Sequence, residues 1–303
     1  MAKAVILEGR EDAEDLRDAV AARVRALRDY ERVRPGLALI RVGDKGETKS
    51  MLDHREQWAL DAGFRVNRHD MPRESTTREL MLVVEGINDD SDINGVVILE
   101  PVPPGIDIGK VRRAVDPAKD VDGQHPLNIG ELALGAAGLV PSLPLAVVDL
   151  LRRHLGDMSG RRAVVLGRCL GVGRPLAKLL TDADCTVTQA HSRTSLTDVK
   201  AISRDCEIVV AALNRPEMVR GDWISPGATV IDTGRHTIHA GPGESRMVGD
   251  VKRDEVIAVA GAFADRFEAV GPLGIAMLLR NTLIACCRQH RVDMKMAECD
   301  VRT

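Results

Sequence analysis

The chain has 303 residues, 44% of them hydrophobic, enough to bury a sizeable core and long enough for two domains. Its net charge is −3, its acids and bases are well mixed, and only 2% of residues are aromatic. That balance argues against a nucleic-acid or membrane-surface partner and against base-stacking platforms.

Residues 1–9 turn polar too soon for a signal peptide, and no apolar run approaches the ~20 residues of a membrane span. The six cysteines (Cys169, Cys185, Cys206, Cys286, Cys287, Cys299) show neither C-x-x-C spacing nor a nearby histidine cluster. They read as reduced thiols of a cytoplasmic protein, with no metal site.

In chain order, Leu16, Val20, Val24 and Leu27 form a helical stripe over residues 11–29. Residues 35–43 predict a strand and a glycine turn, and residues 49–62 a helix stopped by Gly63. A strand over 64–71 and a helix over 76–88 follow. Residues 95–104 predict a buried strand that runs into prolines. This alternation is that of an α/β domain with a largely parallel sheet. The stretch 116–128 is polar and turn-rich, and Pro144 leads into a helix over 145–155. We expect the first domain to comprise residues 1–144 and the second 145–272. The strongly apolar helix 274–289 needs a partner surface, so residues 273–303 are expected to pack back on the first domain.

The second domain opens on Arg162-Ala-Val-Val-Leu-Gly-Arg-Cys-Leu-Gly-Val-Gly-Arg-Pro175. Arg162–Leu166 reads as a buried parallel strand. Gly167, Gly171 and Gly173 punctuate a turn, and Pro175 lies where a helix opens. Strand, glycine turn and helix is the arrangement that presents backbone N–H groups to a pyrophosphate. The spacing is G-x-x-x-G-x-G, which equally suits a structural turn. Further strands are expected at Thr186–Ala190, 206–211 and Thr229–Asp232. About 20 residues beyond the glycine turn, where an acid would hold the ribose of NAD, the chain has His191-Ser-Arg-Thr194. With Arg168 in the turn itself, two guanidiniums and a hydroxyl suit a 2′-phosphate and favour NADP; a solvated basic loop is the alternative. Asp232-Thr-Gly234 and Val248-Gly-Asp-Val251 are further turns at strand ends.

Those turns, with Val42-Gly-Asp44, Lys119-Asp-Val-Asp-Gly123, His125-Pro126 and Asn128-Ile-Gly130, together resemble the bifunctional methylenetetrahydrofolate dehydrogenase/methenyltetrahydrofolate cyclohydrolase family. The match keeps its order from about Val42 to Thr282. The resemblance implies an N-terminal α/β folate domain, a C-terminal Rossmann-type NADP domain, a cleft between them and a homodimer. It places the cofactor on Gly167, Arg168, Cys169, Gly171, Gly173, His191, Ser192, Arg193 and Thr233. On the folate side it points to Met51, Leu99, Asp122 and Pro272, with Arg55 and Asp122 at the catalytic positions.

The folate side departs from the family pattern. Where the family has a Tyr and, four residues on, a Lys central to hydrolysis, this chain has Met51 and Arg55; its single tyrosine is Tyr30. Leu99 stands in place of a glutamine, and the family's late glycine loop is reduced to Ala269-Val-Gly-Pro272. Asp122, the pterin-contacting acid of K-D-V-D-G, is kept. A lysine of lowered pKa can move a proton for hydrolysis, whereas a guanidinium stays protonated. Hydride transfer needs chiefly two ligands held in register.

The resemblance therefore implies an NADP-dependent methylenetetrahydrofolate dehydrogenase with weak or lost cyclohydrolase activity. Two other functions fit the same substitutions. One is a one-carbon transferase serving a different small-molecule acceptor, and the other is a catalytically inactive folate- and NADP-binding paralogue. Arg55 also admits a plain reading as a surface arginine on a packed helix. His54 beside it is a candidate substitute base, and His125 reads as a turn histidine.

Overall fold

The computed structural model describes residues 3–43, 46–136, 138–241 and 244–293. Asp44 of the Val42-Gly-Asp44 turn and Cys299 lie outside the described residues. The chain divides into two compact units. The first runs over Ala13–Ser142 and resumes at Ile275; the second comprises residues up to Asp12 and Leu143–Gly274. In chain order the strands are β1 (Val5–Ile6), β2 (Gly36–Val42), β3 (Arg65–Met71), β4 (Gly95–Ile98), β5 (Arg162–Leu166) and β6 (Thr186–Ala190). They continue with β7 (Ile208–Ala211), β8 (Thr229–Asp232), β9 (His236–Gly241), β10 (Glu244–Val248) and β11 (Ala262–Ala264).

In the first unit β3, β2 and β4 form a parallel sheet with β2 central. Every residue of β2 but Arg41 is buried, which is why its sequence is continuously apolar rather than alternating. Helix Thr77–Asp89 opens on a capping box. The Thr76 hydroxyl accepts from the Glu79 N–H while the Glu79 carboxylate accepts from the Thr76 N–H. Its Leu80, Val84 and Ile87 pack with Ala38, Ile40 and Val96. The other end of that helix is closed by Lys119, whose buried Nζ donates to the carbonyls of Ile87, Asn88 and Asp90 at 2.7–2.8 Å. Burial lowers the pKa of this ammonium. From helix Gly271–His290, Asn281 donates to the Val121 and Val140 carbonyls and Gln289 to those of Asn94 and Ala118. By length and composition, Arg266–His290 is apolar enough to cross a membrane, although Arg280 and Asn281 interrupt it. Most of it is buried inside the protein, as in a core helix.

The second unit is built on a six-stranded sheet in the order β1-β11-β8-β7-β5-β6, parallel throughout. Val164, Leu166, Val209, Val230 and Phe263 form part of its core. β9 and β10 form a separate antiparallel hairpin. The chain leaves β5 toward β6 on one side and later fills β7 on the other, so strand order reverses between β5 and β7. Open α/β sheets bind ligands at the carboxyl end of such a reversal.

Lys119→Met removes the donor to three carbonyls at one helix end. It is expected to destabilise the first unit by about 2–4 kcal/mol, measured as a lower denaturant midpoint.

Candidate functional site

At the carboxyl ends of β5, β6 and β7 the second unit holds a cavity of about 510 Å³. Gly167, Arg168 and Cys169 enter it from β5, His191, Ser192 and Thr194 from β6, and Leu213, Asn214 and Arg215 from β7. Its floor is apolar, with Leu166, Val199, Met218 and Trp223. Two glycines and one side chain shape the turn. Gly167 has φ +135°, and a Cβ there would overlap the Ala212 carbonyl oxygen. A Cβ on Gly173 would lie 2.6 Å from the Gly167 oxygen, so both glycines are required by close approach. Gln189 on β6 ties the turn together by donating to the carbonyls of Gly167 and Gly173 at 2.9 and 3.0 Å. Helix Gly173–Asp182 then starts at Val172, whose side chain makes no cap; the Arg174 N–H donates to the Cys169 carbonyl at 3.1 Å and Pro175 has no N–H, so the helix start closes on the turn.

The exposed Cys169 faces this turn, its Sγ 3.5 Å from the Gly173 N–H. His191 accepts the Arg193 N–H on Nδ1 and donates its own N–H to the Thr194 hydroxyl. Arg193 is exposed and, like Gly171 and Gly173, is not among the residues lining the cavity. Thr233 is buried, and its hydroxyl donates to the Ala211 carbonyl at 2.8 Å. The sequence reading did not single out Leu213, Asn214 or Arg215. The available signal was their place just after the third strand of this sheet. Glycine cradle and basic rim fit a phosphorylated dinucleotide.

The first unit gathers a different set. Asp122 accepts hydrogen bonds from Gln124 Nε2 at 3.2 Å and from the Ser142 hydroxyl. Burial raises its carboxyl pKa, opposed by the nearby Arg55 and Arg112 guanidiniums and by those two hydrogen bonds. Arg112 also pairs with Glu100. A small recess bounded by Ile98, Glu100, Arg112, Asp120, Asp122 and Gln124 lies here. Met51 and Arg55 are one turn apart on helix Gly46–Asp61, and Arg55 Nη1 donates to the Met51 carbonyl at 3.2 Å. His54, between them in sequence, is exposed. Leu99 is buried, its N–H bonded to the Ile40 carbonyl, while its neighbour Glu100 is exposed. His125 caps helix Pro126–Leu134 through Nδ1. Asp120 accepts the Gln124 and His125 N–H groups and the Asn128 amide. Pro272, at the start of helix Gly271–His290, falls in the second unit.

The tetrahydrofolate dehydrogenase/cyclohydrolase catalytic domain matches residues 7–122, and the NAD(P)-binding domain of the same family matches residues 141–290. The chain belongs to this family. It is an oxidoreductase with an NAD(P)-binding domain and a tetrahydrofolate derivative as substrate. Among relatives, the bifunctional protein FolD of Paramagnetospirillum magneticum is 42% identical over 292 residues, covering 96% of this chain and 98% of that protein. Bifunctional protein FolD 3 of Rhizorhabdus wittichii is 46% identical, covering 96% and 95%. Among solved structures, the methylenetetrahydrofolate dehydrogenase-cyclohydrolase of Trypanosoma brucei, complexed with NADP and an inhibitor, superposes with a TM-score of 0.91. It is 34% identical and covers 96% of this chain and 100% of that one.

Gly167→Ala forces a side chain into a left-handed backbone against Ala212. It is expected to lower stability by roughly 1–3 kcal/mol and to weaken cofactor binding, read by calorimetric titration. Burial raises the Asp120 pKa from 3.8 to about 6, so the folded state holds this proton more tightly than the unfolded chain. Folding stability then falls as pH rises from about 4 to about 6, and Asp120→Asn should flatten the stability–pH curve in that window.

Proposed function

We propose that the protein is an NADP-dependent methylenetetrahydrofolate dehydrogenase of one-carbon metabolism, a cytoplasmic homodimer whose cyclohydrolase activity is weak or lost. The observation that carries this reading is the contrast between the two sites. The cavity after β5 keeps a glycine cradle with a basic rim. The Asp122 site, in contrast, is served by an arginine at position 55.

NADP supplies the hydride acceptor. Gly167, Arg168, Cys169, Gly171 and Gly173 hold the pyrophosphate. His191, Ser192 and Arg193 receive the 2′-phosphate through charge-assisted hydrogen bonds, and Thr233 shapes the turn beyond β8. Met51 and Asp122 contact the folate, with Asp122 holding the pterin ring, and Leu99 supports that surface. Arg55 keeps a fixed positive charge beside Asp122 and has no proton to exchange at neutral pH, so hydride transfer proceeds while water activation does not.

Purified protein with NADP and methylenetetrahydrofolate should produce NADPH and methenyl absorbance together; no turnover at high enzyme concentration would remove the reading. The double substitution Met51→Tyr with Arg55→Lys should raise methenyltetrahydrofolate hydrolysis by about a hundredfold, and an unchanged rate would show that the block lies elsewhere. The same Arg55 also favours a second reading, transfer of the one-carbon unit to another small molecule. In that case methylenetetrahydrofolate is consumed only with an added acceptor and without NADP reduction.

A further inference from the structure

Two turn motifs at strand ends, Asp232-Thr-Gly234 and Val248-Gly-Asp-Val251, carry carboxylates that point into the protein. Asp232, 2% exposed, accepts the N–H groups of Gly234, Asp250 and Val251 at 2.8–3.0 Å. Asp250, fully buried, accepts those of Leu213, Asn214 and Arg215 at 2.7, 3.2 and 2.8 Å, and His236 Nε2 lies 2.8 Å from its Oδ1. The glycines of both motifs are there because the carboxylates fill the space. A Cβ on Gly249 would overlap the Asp232 carboxylate, and one on Gly234 would overlap the Asp250 backbone.

The chain of bonds thus runs from the end of β8 through Asp232 and Asp250 to residues 213–215, which form the β7 wall of the cavity. Asn214 in that wall sits at φ 55°, a left-handed conformation that costs a non-glycine residue energy unless its surroundings hold it. One buried carboxylate taking three successive N–H groups supplies that hold. The wall presents Arg215, an exposed cation, to the cavity that also receives Arg168, His191 and Ser192.

We propose that Arg215 is a specificity-determining residue that binds the 2′-phosphate of NADP, and that Asp250, steadied by His236 and Asp232, is the positioning residue that aims it. This rests on the reading of the cavity as the NADP site. The first measurement is therefore the affinity of the unmodified protein for NADP and NAD by calorimetry. Binding of neither overturns the cofactor reading itself.

With NADP preferred by the unmodified protein, Arg215→Gln should weaken NADP about tenfold or more while leaving NAD affinity within twofold, and Arg215→Lys should keep most of the preference. Asp250→Asn should raise KM for NADP by about tenfold with kcat at saturating NADP changed far less, a split that general loss of folded protein does not produce. Because a buried substitution can prevent folding, hydrogen exchange of the unmodified protein supplies an independent reading. The amides of Leu213, Asn214 and Arg215 should exchange slowly although two of these residues are exposed. An unchanged NADP preference in Arg215→Gln, or fast exchange at these three amides, overturns the inference and leaves the cofactor site standing.

Discussion

Backbone N–H groups at the carboxyl ends of parallel strands must find an acceptor, and the second unit divides them into two classes. Those of residues 213–215, 234, 250 and 251 are taken by the buried carboxylates of Asp232 and Asp250. Those at the start of helix Gly173–Asp182 turn back on Cys169, the Gly173 N–H toward its Sγ and the Arg174 N–H to its carbonyl. The first class fixes loops; the second closes the turn after β5, where Pro175 brings no N–H of its own. The cavity is therefore defined as much by the loops that internal acids immobilise as by the residues that line it.

The same partition explains the first unit's Lys119-Asp-Val-Asp-Gly123. Four of its five residues have structural duties. Lys119 closes a helix end, and Asp120 gathers the start of the next turn. Val121 is core, and Gly123 at φ +64° fits against Leu139 and Pro141. Only Asp122 is left partly exposed, between two arginines. A motif that lies in a polar, turn-rich stretch of the sequence thus resolves into one partly exposed acid and a frame that aims it.

What could be read from the sequence follows the same physics. Arg162–Leu166, Thr186–Ala190 and Thr229–Asp232 were predicted to the residue, because buried central strands are short β-branched runs bounded by turn residues. The strand expected over 206–211 begins at Ile208, since Cys206 still belongs to the turn closed on Ser203. β1 and β11 escaped notice because two and three residues carry no period, and their pairing joins positions more than 250 residues apart. Only the start of helix Pro126–Leu134 lies in the stretch 116–128 read as turn-rich; that start depends on His125 acting as a cap, a role visible only in geometry. The helix expected over 145–155 opens earlier, at Ser142, because proline is tolerated in a first turn. At the cavity, the glycines and His191-Ser192 were legible from spacing. The 213–215 wall was not, because what makes it a wall is a carboxylate 35 to 37 residues downstream.

Arg55, one helical turn from Met51, and Arg112 set the charge around Asp122. A neutral amine beside a buried carboxylate would leave that acid to burial alone, which favours its protonated form. A guanidinium cannot become neutral, so it opposes burial at every accessible pH. Arg55 and Arg112 therefore keep Asp122 closer to ionised than its surroundings would, while Gln124 and Ser142 supply hydrogen bonds that fix its orientation. Burial still outweighs them and leaves the Asp122 pKa raised, while its orientation is fixed. A fixed cation at residue 55 therefore serves that acid as a counter-charge.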